Sequence, residues 1–204
     1  MSLTFDPVEH RYFWNGAPVT NVTRALGLLS DWSKVDPVVL ENARQEGVDQ
    51  HRMVELYMKD DLDEATLPEW LVPRLAAFKS FKAATGFLCI ESELRVYNPR
   101  YAYAGTTDLI GTINITLGRH SGTVVACIDL KRSFAGGRVI GYQLAAYTDA
   151  WNKTRVNAAE YVTHRYALKL HADGQFRLEP YTDRADIDHF LTCLRFYNLK
   201  ESLK

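Results

Sequence analysis

Thr123-Val124-Val125-Ala126-Cys127-Ile128-Asp129-Leu130-Lys131 is the stretch that decides how this chain folds. Its first six residues are apolar or β-branched, short enough for a buried strand and bounded upstream by Ser121-Gly122. Charged side chains are seldom buried without partners, so a buried strand that closes on Asp-x-Lys needs a reason. At i and i+2 the carboxylate and the ammonium leave the same face of a strand. Taken alone, the tripeptide is most simply a solvated salt bridge at a strand end, where such pairs contribute little.

The neighbouring residues change that reading. About one strand upstream, Tyr103-Ala104-Gly105-Thr106-Thr107-Asp108-Leu109-Ile110-Gly111 sets a second acid inside an apolar, β-prone segment. If the two strands pair as a hairpin through a turn at Gly118 to Gly122, Asp108 and Asp129 converge at one sheet edge. Two carboxylates placed so can share a hard divalent cation, with Lys131 pointing into the same pocket. Downstream, a helix from Val139 to Trp151 sets Gln143 and Tyr147 four residues apart, on one face. A core tyrosine satisfied by a glutamine is the alternative reading of that pair.

Gly105-Thr106-Thr107-Asp108, Ile128-Asp129-Leu130-Lys131 and Gln143 with Tyr147 resemble, in that order, the PD-(D/E)xK nuclease superfamily, in its RecB-like and phage (lambda-type) exonuclease-like branch. Gly47-Val48-Asp49-Gln50-His51 matches the G-x-x-x-H that the branch often carries on an early helix. The resemblance spans residues 47 to 147. It implies an α/β, restriction-endonuclease-like fold, with a central mixed sheet flanked by helices. It also implies a glutamate on the strand before Asp108. Phe87 to Tyr97 alternates, with Glu91 and Glu93 on one face, where both could simply meet solvent; because the family's glutamate precedes a short apolar strand tail, here Leu94-Arg95-Val96, the resemblance implies Glu93.

The rest of the chain agrees with one domain over residues 1–204, an amino-terminal hairpin and helix (1–34) leading into a core (35–204). At 204 residues, 47% apolar and 12% aromatic, it can bury a sizeable core. The net charge of -1 advertises no global polycation, but charge is uneven. Residues 131–169 hold seven Lys/Arg against two Asp/Glu, and residues 36–69 hold three against ten. One side could therefore face phosphates while the other repels them. Cys89, Cys127 and Cys193 read as buried free thiols of a reducing compartment, too few for a four-thiolate cluster. With no membrane-length apolar run and no signal segment, the chain is expected to be soluble and intracellular; the resemblance implies the cytoplasm of a bacterial or phage-infected cell.

In chain order, Asn15-Gly16 between β-prone runs marks a type I′ hairpin, and Thr20 or Asn21 can cap a helix from Val22 to Leu29. Trp14 and Trp32 read as packing anchors. Asp36 to Lys59 is helical in pattern, and Gly47 inside it costs about 1 kcal/mol against alanine. That glycine suggests a close backbone approach or a break between two helices. Asp60 to Leu67 is an acidic loop; Pro68 opens a helix that Thr85-Gly86 stops. Past Lys131, Arg132 to Arg138 forms a glycine-bearing basic loop suited to a phosphate backbone, or a mere connection. Strands from about Ala159 to Leu168 and Gln175 to Leu178, and a helix from Ala185 to Leu199, complete the fold.

The resemblance implies a metal-dependent DNA nuclease, expected as an exonuclease hydrolysing phosphodiesters to 5′-phosphates in phage recombination or DNA repair. Asp108, Asp129, Lys131, Gln143 and Tyr147 are then the catalytic set. Asp108, Asp129, the Leu130 carbonyl, Glu93 and His51 are the metal ligands, and Arg132 and Arg138 contact nucleic acid. Hard oxygen donors favour Mg²⁺ or Mn²⁺. DNA is the implied partner; a single-strand annealing or recombination protein and a homo-oligomer fit the branch as well. The alternatives are a catalytically silent nucleic-acid-binding module on the same fold and an unrelated α/β interaction protein with solvated acids.

Overall fold

Apolar residues in the middle of the chain alternate between two cores, and that alternation sets the architecture. A computed structural model describes residues 2–31, 33–117, 120–134 and 137–204, without the side chains of 117 and 120. The strands are β1 (Leu3–Asp6), β2 (Arg11–Trp14), β3 (Ala17–Asn21), β4 (Leu88–Asn98), β5 (Tyr103–Leu117), β6 (His120–Leu130), β7 (His164–Leu170) and β8 (Phe176–Pro180). The helices are α1 (Val22–Leu26), α2 (Pro37–Met58), α3 (Val72–Thr85), α4 (Arg138–Lys153) and α5 (Asp186–Ser202). The strands form one sheet in the order β1-β2-β3-β5-β6-β7-β8, and β4 pairs with β5 as well. β3 with β5 and β6 with β7 run parallel; the other pairs are antiparallel.

Along β6, Ala126, Ile128 and Leu130 enter a core shared with Met53 of α2 and Phe78 and Phe81 of α3. Cys127 enters the opposite core, with Leu144 and Ala150 of α4 and Phe190 of α5. A strand covered on both faces has no solvent side, so it reads as a continuous apolar run. The α/β architecture expected from the sequence, a mixed sheet between helices, is what the chain adopts. By the same alternation Asp129 and Lys131 leave β6 on the α4 side.

Several local expectations shift. Asn15 and Gly16 take φ of +49° and +82°, as a type I′ turn requires, but the amino-terminal hairpin gains a third strand, β1, paired Leu3 to Trp14. Asn21 caps α1 through Thr23 N at 2.8 Å, and the helix gives way to a 3₁₀ turn at Gly27 before reaching Leu29. α2 runs unbroken through Gly47, and among the described residues nothing lies within 4 Å of where a Cβ would sit there. The glycine therefore marks neither a break nor a close approach.

Pro68 does not open α3: its carbonyl closes a turn with Leu71 N at 2.9 Å, and the helix starts at Val72 with Pro73 in its first turn. Inside the acidic loop Glu64–Thr66 makes a 3₁₀ turn. Another, at Ala158–Glu160, delays β7 to His164. Cys127 is buried, but Cys89 is exposed and Cys193 is half-buried. Trp32, Gly118 of the expected turn, and Ala135 and Gly136 of the basic loop lie outside the described residues. Among the described residues no helix is long and apolar enough to cross a membrane.

Gly111 of β5 is where the sheet is tightest. A methyl there would overlap the Leu88 carbonyl oxygen and the Phe87 ring, next to the irregularity between Cys89 and Glu91. Gly111→Ala is expected to destabilise the protein by about 1–3 kcal/mol, since backbone cannot step aside cheaply. The effect should appear as a lower urea midpoint at unchanged slope; an unmoved midpoint contradicts the close approach.

Candidate functional site

The β5–β6 ladder stops one residue short of two acids. Its last pair is Leu109 with Ile128, so Asp108 and Asp129 follow where the strands have just parted. β6 stays attached to β7 on its other side, through Leu130 opposite Leu168 and Lys131 N to Leu168 O at 2.8 Å. The Leu130 groups that β5 would have satisfied are taken by side chains instead. Its N–H donates to Asp108 Oδ2 at 2.6 Å, and its carbonyl oxygen lies 3.2 Å from His51 Nε2.

His51 comes from α2, on the other side of the sheet from α4, and its second nitrogen faces two carboxylates. Nδ1 is 3.3 Å from Asp108 Oδ1 and 3.6 Å from Glu93 Oε1. Glu93 stands opposite Asp108, between the pairs Ser92–Leu109 and Leu94–Thr107, and takes φ of +49°. A left-handed residue in mid-strand interrupts the alternation expected for β4: Glu93 turns to His51 while Glu91 stays exposed. Ligand atoms of His51, Glu93 and Asp108 all lie within 4.8 Å of one another, a spacing one cation could bridge.

Asp129 is not among those three. Its buried Oδ2 is paired with Lys131 Nζ at 2.6 Å. Lys131 Nζ donates to Gln143 Oε1 at 3.0 Å, and Gln143 Nε2 donates to Tyr147 Oη at 2.9 Å. A single file therefore runs from the carboxylate through the ammonium into α4. Gly105 makes it possible, since a Cβ there would sit 2.6 Å from Tyr147 Cε1. The ring lies against the backbone of β5.

The charges follow from burial. Asp129 is 2% exposed; burial, with Asp108 adding to it and Lys131 opposing, pushes its carboxyl up to about 6. For Asp108 burial acts the same way, but His51, Lys131 and the Leu130 N–H outweigh it and hold the group below the usual range. Burial raises Glu93 against the pull of His51. Burial disfavours charge on His51 too, yet Asp108 and Glu93 keep the imidazole well above its ordinary value. Lys131 resists burial through Asp129 and Asp108, and is raised. An ammonium so held is a charge donor, not a base.

Arg132 Nη1 is paired with Glu46 Oε2 of α2. Arg138 is exposed at the start of α4. One neighbour escaped sequence reasoning: Tyr181, just past β8, is electrostatically coupled to both Lys131 and Asp129 and packs against Gly141 of α4. No spacing signal ties it to residues fifty positions upstream.

No family model matches the chain, and a search of curated proteins finds no match. Among solved structures it is similar to the crystal structure of LHK-Exo in complex with dAMP. The two share 14% identity over 89% of this chain and 87% of that chain, with a TM-score of 0.39. At that level the likeness carries no function across.

Two carboxylates and an imidazole, from Asp108, Glu93 and His51, form a donor set that fits a divalent cation. Were Asp129 and His51 ligands, as the sequence reading expects, both would have to lose their protons, so affinity would rise as pH climbs through about 6 and beyond. Adding Mg²⁺ or Mn²⁺ is expected to raise the melting temperature more at pH 8 than at pH 5.5. Equal rises would remove both groups from the ligand set.

Proposed function

We propose that this chain is a metal-dependent DNA nuclease, an exonuclease hydrolysing phosphodiesters to leave 5′-phosphates in phage recombination or DNA repair. The observation that carries the reading is the opened ladder at Leu130, around which Asp108, Asp129, Lys131 and His51 gather. A solvated salt bridge at a strand end would need neither aspartate buried.

Asp108, Asp129, Glu93, His51 and the Leu130 carbonyl would hold Mg²⁺ or Mn²⁺, which supplies a lowered pKa for water and offsets charge on a phosphate oxygen. The chain's own groups do the rest. Lys131, kept charged by Asp129, orients the attacking water and stabilises negative charge gathering on the phosphorus oxygens. Gln143 fixes the ammonium from the far side, and Tyr147 fixes Gln143, so the cation does not swing with each substrate. Asp108, bonded to Leu130 N, holds the carbonyl and the carboxylate in one frame.

Labelled single- and double-stranded DNA, incubated with and without Mg²⁺, tests the reading. Wild type should cut only with the ion, and Asp129→Ala and Lys131→Ala should each slow cutting by about 10²–10³-fold. DNA retarded in a gel but never cut would make the chain a silent binding module instead. Neither binding nor cutting would leave an interaction protein.

A further inference from the structure

Two surface hollows, of about 520 and 540 Å³, meet at Glu55 and Glu93. His51 lines the first and Glu93 lines both, so each opens directly on the candidate metal ligands. Gly47, one helical turn before His51, forms part of the first hollow's wall. Glycine is the least favourable interior helix residue after proline. Its usual reason, close approach of another backbone, is absent among the described residues: a Cβ at Gly47 would meet none of them within 4 Å. What the missing side chain leaves is open space beside His51.

Charge converges on the same place. Residues 36–69 are the acidic part of the chain, yet their three basic residues, Arg44, Arg52 and Lys59, all line these hollows. Glu55 grips two of them, Arg52 Nη1 at 2.8 Å and Lys59 Nζ at 2.5 Å, one in each hollow. Glu41 holds Arg44 at 2.6 Å. The second hollow continues to Arg95, whose guanidinium lies 5.2 Å from the Phe5 ring centroid. Hollows of this size suit a nucleotide-sized ligand in each.

We propose that one nucleic-acid strand crosses α2 through the joined hollows, a nucleotide occupying the space over Gly47 and its phosphates met by Arg52 and Lys59 on either side of His51 and Glu93. The proposal rests on the nuclease reading and adds the route of the strand. It adds a contact surface on the face that composition alone marks as repelling phosphate.

Binding of a fluorescent single-stranded oligothymidylate, followed by anisotropy over a range of salt, tests the route. It is measured with Mg²⁺ in the Lys131→Ala background, so that the strand is held and not cut. Gly47→Ala and Gly47→Leu should both raise the melting temperature, by about 2–4 °C. Gly47→Leu should weaken binding at least about tenfold, and Gly47→Ala less. Arg52→Ala with Lys59→Ala should lower the slope of log affinity against log salt by about 1.4, two phosphate contacts' worth. If Gly47→Leu binds as tightly as its parent and the double variant keeps the parent's slope, while wild type cuts DNA, the route is wrong and the nuclease reading stands. A wild type that neither binds nor cuts removes both.

Discussion

Two carboxylates buried at the parting of β5 and β6 constrain everything around them. Taking one charge out of water is costly, and placing a second of like sign nearby adds repulsion, so each needs compensation at its own position. Asp108 receives it from a backbone N–H and an imidazole. Asp129 receives one ammonium, and its carboxyl still rises to about 6. The burden left over is of the kind that a divalent cation would relieve.

The surrounding elements serve that compensation. Glu93 keeps a backbone conformation that non-glycine residues seldom adopt, at a cost of about 1–3 kcal/mol. In return its carboxylate faces His51. Gly105 removes a side chain so that Tyr147 can approach β5, and Tyr147 in turn steadies Gln143 and Lys131. α2 and α4 sit on opposite faces of the sheet, and each sends one polar end to the gap between the strands. A sheet covered on both faces can bring such groups together because its ladder opens only at the end.

Much of this is legible from the sequence because it is local. The apolar run ending at Asp129-Leu130-Lys131 announces a strand buried on both faces, the period of two puts Asp129 and Lys131 on one side, and the period of 3.6 puts Gln143 above Tyr147. Asn15-Gly16 forces its turn through the φ values the pair allows. Less legible were features set by partners far away in the chain. Nothing near Pro68 shows that α3 waits until Val72, and nothing near Arg132 shows that Glu46 takes its guanidinium. Gly47 is the clearest case. Local rules assign a helical glycine to a break or a close contact, whereas here it borders open space.

The sequence by itself determined the order of elements, the sidedness of Asp129 and Lys131 and the chemical type of every donor, because backbone periodicity and side-chain chemistry act over a few residues. Tertiary structure alone decided which groups share one space. It turned Glu93 toward His51, gave the Leu130 carbonyl to His51, and set Asp129 with Lys131 apart from the His51 group. Those outcomes depend on distances between segments tens of residues apart, fixed only when both cores pack and every buried charge has found a partner.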